Sequence, residues 1–325
     1  MTTDKKRINV LSIDGGGIRG IIPAVILESL QKALGQPLHE VFDLIAGTST
    51  GGIIAVAIGT KAKPDGLPYA PSDLVKFYVE QGPAIFRKHW YTWFMDLFGP
   101  KYSAGPLEKV LQAAFRDVMF STALTRLLIS SYDLQVQLPF FFKSDKIIQP
   151  GDAYDWPIAT IARGTSAAPT FFPPLLLNDA DGQKTYTLVD GGIYVNNPAM
   201  AAFAEGRHLH PDATEFIVVA VGTGDTQANI TYKEARKWGL FGWANEIIPV
   251  MMDGVSEAVD YELNNLPECI YHRLQVPALP PASNKMDDVS KENLANLQLV
   301  ARKYVQANET EIAKIARELL ATRTV

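Results

Sequence analysis

The sequence predicts an α/β fold organised on a parallel sheet. Two observations carry the prediction. From Ile8 to Gly59, short apolar runs alternate with helical patterns, and each strand passes into its helix through a glycine-bearing turn. The length of 325 residues is enough to bury one large core.

Element by element, Ile8–Ile13 reads as a buried strand and Asp14–Arg19 as a glycine loop. Pro23 suits a first helical turn, and Ala24–Leu34 continues a helix that Gly35 can close. Asp43–Ala46 is a second strand, Gly47–Thr50 a turn, and Gly51–Gly59 a helix. After the Pro- and Gly-bearing loop Lys61–Pro71, Ser72 can cap a helix to about Gln81, and Pro106–Asp117 reads as another. Leu127–Asp133 and Phe140–Lys143 read as strands, and Pro157–Thr165 as a helix. The strand Tyr186–Val189 runs into Asp190-Gly191-Gly192. Pro198–His210 is a helix, Phe216–Val221 a strand, Glu246–Asn264 a helix and Ile270–Val276 a strand. Ala278–Asp288 has the composition of a linker, and Asn293–Leu320 that of a helical tail. No composition shift calls for a second domain, so residues 1–325 are expected to form one, with 286–325 as its helical C-terminal tail.

The formal charge of -5 argues against a nucleic-acid binder or a protein drawn to a strongly anionic membrane, and leaves open a membrane surface reached through apolar contacts. Cys269 is the single cysteine, so the chain forms no internal disulfide, which suits a reducing compartment. No long apolar run follows the basic residues of the N-terminus, and Ile53–Ile58 falls far short of the roughly 20 residues of a membrane-spanning helix. A cytoplasmic protein is expected.

Three motifs carry chemistry. Gly47-Thr48-Ser49-Thr50-Gly51 is G-x-S-x-G between a strand and a helix, the context in which such a serine is exposed on a sharp turn at a helix N-terminus. The plainer reading is a small-residue turn with a capping serine. Asp14-Gly15-Gly16-Gly17-Ile18-Arg19-Gly20 places three adjacent glycines between strand and helix, freeing backbone N–H groups to converge on an oxyanion. Gly15, Gly17 and Gly20 also satisfy G-x-G-x-x-G, with Glu40 or Asp43 near the distance of a ribose-binding acid, so the loop alone does not separate a hydrolase from a dinucleotide-binding oxidoreductase. Asp190-Gly191-Gly192 is either a base presented on a close-approaching loop or a hairpin turn. Histidine is missing where a triad would need it: His39, His89, His208, His210 and His272 all stand outside glycine-rich loops. No metal-ligand spacing occurs, and no metal or other cofactor is expected.

Together the three motifs resemble those of the patatin-like phospholipases, which show D-G-G-G-x-R-G, G-x-S-x-G and D-G-[GA] in this order. Ala162–Pro169 with Thr170–Pro174, Gly191–Pro198 and Val221–Gly224 also match family blocks, and Met286-Asp287-Asp288 is similar to the bacterial members. The resemblance implies a three-layer α/β/α sandwich with a mostly parallel central sheet. It implies a Ser–Asp dyad of Ser49 and Asp190, which accounts for the missing histidine. It implies an oxyanion loop at Gly15, Gly16, Gly17 and Ile18, supported by Asp14 and Arg19. Arg19 either braces that loop or meets a lipid phosphate.

The implied substrate is a membrane phospholipid or another acyl lipid. The stretch Ile85–Phe98, with Trp90 and Trp93 beside Arg87 and Lys88, has the composition of a peripheral membrane contact, and equally that of a helix burying aromatics in the core. Trp238–Trp243 is a second such segment. Some bacterial relatives are switched on by cyclic oligonucleotides. A nucleotide activator is therefore an expectation from resemblance, with no residues assigned to it.

Overall fold

The computed structural model describes residues 6–86, 99–149, 151–179, 182–225 and 230–321. The aromatic run from Arg87 to Phe98, including Trp90 and Trp93, lies outside them.

Within the described residues the strands are β1 (Arg7–Ile13), β2 (Leu44–Thr48), β3 (Arg126–Asp133), β4 (Leu138–Lys143), β5 (Leu175–Asn178), β6 (Thr185–Asp190), β7 (Glu215–Val221) and β8 (Cys269–Leu274). The helices are α1 (Ile21–Leu34), α2 (Leu38–Val41), α3 (Thr50–Gly59), α4 (Pro71–Ile85), α5 (Ala104–Phe115), α6 (Ile158–Thr165), α7 (Ala199–Leu209), α8 (Tyr232–Ala235), α9 (Leu240–Asn264), α10 (Lys291–Ala307) and α11 (Glu309–Leu320).

These strands form one sheet in the order β5-β6-β3-β2-β1-β7-β8, with β4 on β3. The run β3-β2-β1-β7-β8 is parallel throughout. β4, β5 and β6 join antiparallel. The fold is thus the expected α/β sandwich with a mostly parallel sheet. The antiparallel end was not expected: β5 is only four residues long and partly exposed, so it carries little periodicity.

The central strands read as continuous apolar runs because both of their faces are covered. Alternate residues feed two cores. Leu11, Ile13, Ile217, Val219 and Val221 pack with α1, α3, α4, α5, α6, α10 and α11. Val10, Phe216, Val218 and Ala220 pack with Ala202 and Phe203 of α7 and with Val259 and Leu263 of α9.

The C-terminal segment is helical as expected, in two helices broken at Asn308. Leu297, Ala301, Ile315 and Leu319 are fully or almost fully buried in the larger core. The expected linker Ala278–Asp288 is also packed: Leu279 is buried, and Met286 and Asp287 bond to residues far away in sequence. It is a structural strap, and its Pro, Ser, Asn and Asp content reflects its irregular backbone rather than mobility.

The register of β3 assembles the site. Thr48 at the end of β2 pairs with Ser130, and Asp190 at the end of β6 pairs with Ser131. Two strands of opposite direction therefore deliver positions 49 and 190 beside consecutive residues of β3.

Candidate active site

Ser49 sits between β2 and α3 at φ 55° and ψ -122°. A non-glycine residue there is strained, at a cost of roughly 1–3 kcal/mol. The surrounding structure holds it. Its N–H donates to Thr165 Oγ1 at 2.9 Å, and its carbonyl accepts the N–H of Ile53 in the first turn of α3. A side chain on Gly51 would collide with the carbonyl of Ile13, which is why the motif needs glycine at that position. Thr48 ties this elbow to the opposite loop, its Oγ1 lying 2.7 Å from both Ser130 Oγ and the Val195 carbonyl.

Asp190 is 4% exposed. Its N–H donates to the Ala167 carbonyl, and its Oδ1 accepts the Gly192 N–H at 2.8 Å. The Ser49 hydroxyl lies near enough to its carboxyl to favour the charged form. Burial pushes the Asp190 carboxyl up to about 6, the serine hydroxyl and Gly192 N–H opposing the rise. Asp190-Gly191-Gly192 is a short 3-10 turn, not a hairpin.

The glycine loop is bound on several sides. Asp14 N–H donates to the Val221 carbonyl, Gly15 N–H to the Asn196 carbonyl and Ile18 N–H to the Met286 carbonyl. Thr223 Oγ1 donates to the Gly15 carbonyl at 2.8 Å. Of the four expected oxyanion donors, Gly15 and Ile18 are therefore already committed to carbonyls. The N–H groups of Gly16 and Gly17, both on the cavity wall beside Ser49, are not taken up by a carbonyl among the described residues. Gly17 has φ 60°, and a Cβ there would meet Met286. Arg19 is buried and reaches the Gly16 carbonyl at 3.4 Å and the Gly224 carbonyl at 3.5 Å, the bracing arrangement. Asp14 pairs with Arg273 at 2.6 Å, and Arg273 also pairs with Asp260 of α9 at 3.3 Å. Asp14 holds the Arg273 guanidinium above its ordinary value.

Ser49 and Asp190 open onto an apolar cavity walled by Phe77, Tyr78, Ile85 and Phe86 of the α4 region, Phe171 and Phe172, and Ile248 and Met252 of α9. None of the four described histidines lines it. His272 instead sits 2.8 Å from Glu318 of α11. His89 lies outside the described residues.

Sequence reasoning missed the supports: Thr48, Thr165, Ala167, Asn196, Arg273 and Met286. All but Arg273 fall within segments already marked in the sequence, Gly47–Gly51, Ala162–Pro169, Gly191–Pro198 and Met286–Asp288, which was a signal, but their supporting roles arise from contacts between distant segments.

The family model "Patatin-like phospholipase" matches residues 11–203. This chain belongs to the patatin-like phospholipase family. It is 31% identical to Patatin-like protein 2 of Oryza sativa subsp. indica, over 94% of this chain and 86% of that protein. It is 34% identical to Patatin-T5 of Solanum tuberosum, over 91% of this chain and 82% of that one. The structure of human GIVD cytosolic phospholipase A2 superposes with a TM-score of 0.52 at 13% identity, covering 99% of this chain and 61% of the other. At that identity the likeness speaks for the fold of this patatin-like protein alone.

Proposed function

We propose that this protein is a lipid acyl hydrolase that cleaves carboxylic esters of phospholipid-type substrates through an acyl-serine intermediate on a Ser49–Asp190 dyad. One observation carries the reading: a serine on a strained turn, beside a buried carboxyl of raised pKa, at the wall of an apolar cavity. Asp190 takes the Ser49 proton as Oγ attacks the ester carbonyl. The oxyanion lies against the N–H groups of Gly16 and Gly17, where one donor is worth about 3 kcal/mol in comparable sites. Asp190 then returns the proton to the leaving alcohol, activates a water, and the fatty acid leaves. The acyl chain occupies the aromatic and aliphatic cavity. Family membership supports the reaction class. Resemblance of Met286–Asp288 supports a bacterial-type member, and the single cysteine suits action in a reducing compartment such as the cytoplasm. No observation favours a dinucleotide in the Gly15–Gly20 loop, since Met286 fills the space over Gly17.

The test is an alkyl fluorophosphonate probe with peptide mapping, followed by a panel of acyl esters and phospholipids with and without cyclic dinucleotides. Labelling at Ser49 and ester turnover are expected. Labelling elsewhere, or NADH binding with no turnover of any ester, overturns the reading.

The raised carboxyl sets a pH dependence. Asp190 accepts a proton only when ionised, so kcat/KM is expected to be half-maximal at about pH 6 and to fall close to tenfold per pH unit below it. An acid limb at the ordinary carboxylate position near 4, measured on a soluble ester with the protein still folded, would contradict the assignment.

A further inference from the structure

The N-terminal half of α9 carries two apolar surfaces that meet. Ile248 and Met252, one helical turn apart, line the cavity that holds Ser49. Their sequence neighbours Ile247 and Met251 are 39% and 50% exposed, and Trp243 and Val250 are also exposed. Trp243, Ile247 and Val250 follow i, i+4, i+7 spacing, so they share one stripe. From Ile247 to Met252 the sequence has no polar residue, so apolar surface continues unbroken from the cavity rim onto the outer face. A monomeric protein rarely leaves such a patch to water without a partner.

Two further observations define the partner. Lys233, Arg236 and Lys237, exposed just before the helix with one acid, Glu234, among them, give this segment a net positive charge, and Trp238 packs edge-on against Trp243 at 5.2 Å to join it to the stripe. The C-terminal half of α9 is anchored to the site: Ser256 bonds Asn196, and Asp260 bonds Arg273 and Asn197. The stripe therefore has a fixed place relative to the cavity mouth. Aromatic and aliphatic residues flanked by bases match the interfacial layer of a bilayer, with phosphates meeting the cations and acyl chains meeting the stripe.

We infer that this face of α9 docks on a phospholipid bilayer and seats the cavity mouth on it, so that an acyl chain enters without crossing water. What enters rests on the acyl-hydrolase reading; docking itself is measured without turnover. The experiment compares the full chain with the double variant Ile247→Asp/Met251→Asp, the milder Trp243→Ser, and the triple variant Lys233→Gln/Arg236→Gln/Lys237→Gln. It measures partition onto phosphatidylcholine vesicles containing phosphatidylglycerol, light scattering, and kcat/KM on a short soluble ester. The double variant is expected to lose at least tenfold in vesicle partition, with soluble-ester kcat/KM within about twofold. Trp243→Ser and the triple variant are each expected to lose about threefold, the triple variant's loss vanishing at high salt. Unchanged partition in the double variant and in Trp243→Ser overturns the inference. So does a wild-type dimer that the double variant dissolves without either binding vesicles, which would make the stripe a self-association surface. Vesicle binding with no ester turnover by the wild type would overturn the hydrolase reading and leave docking standing.

Discussion

Ser49→Ala is expected to lower hydrolysis of a soluble acyl ester by about 10⁴-fold or more, because in the proposed mechanism Ser49 is the group that forms the covalent intermediate. The protein should remain folded. The Ser49 side chain is a single hydroxyl whose partner is the Asp190 carboxyl, and the elbow is held by backbone contacts that alanine keeps. Ser49→Gly separates chemistry from folding more sharply. At φ 55° glycine carries no side-chain strain, so relief of roughly 1–3 kcal/mol offsets the larger entropy of the unfolded glycine. Ser49→Gly should thus be inactive and melt at or above the wild-type temperature. A folded Ser49→Ala protein with wild-type turnover would remove Ser49 from the reaction. A Ser49→Gly protein that melts well below wild type would show that the elbow is not strained.

The second large effect is expected at Asp190. Asp190→Asn keeps the size of the side chain and an oxygen for the Gly192 N–H, and should lose at least about 10³-fold in turnover, as for removal of a general base. Its stability should move the other way. The native protein keeps the Asp190 proton to higher pH than the unfolded chain does, so stability falls as pH rises from about 4 to about 6. Holding the carboxyl at about 6 instead of 3.8 costs the fold on the order of 3 kcal/mol at neutral pH. Asparagine carries no such charge, so the inactive variant should melt at least as high as wild type at pH 7, and the gain should disappear near pH 4. The companion result concerns histidine. His39→Ala, His208→Ala, His210→Ala and His272→Ala should each keep turnover within about threefold, since none of these rings lines the cavity. A folded histidine variant that loses turnover a thousandfold would replace the dyad with a triad.

What could be read from the sequence follows the range of the interactions involved. The Ser49 turn and the order of the first strands and helices were legible because they are local: glycine, apolar run and helix lie within a few residues of one another. The Asp14–Gly20 loop was legible as a loop but not as a set of donors. Whether Gly15 or Ile18 has a free N–H is decided by the carbonyls of Asn196 and Met286, which lie far along the chain. A backbone carbonyl leaves no mark in sequence. The same reason hid the role of Ala278–Asp288, whose composition is that of any irregular segment, and of Arg273, whose partner Asp14 is 259 residues away. The antiparallel β5 and β6 were half seen. β6 ends in the marked Asp190, while β5 is short and has only one fully buried position.

Met286 has a consequence for how the protein comes into being. Every residue of the proposed chemistry precedes Gly192, and the family match ends at residue 203. Yet β7, which completes the sheet on the open side of β1, starts at Glu215, and the carbonyl that holds the Ile18 N–H belongs to Met286. As the chain leaves the ribosome, the proposed nucleophile and base emerge before the strand and strap that hold the glycine loop beside them. Translation thus imposes an order of its own: the nascent polypeptide carries the proposed reactive groups before β7 and Met286, which hold the glycine loop in the fold, have been made.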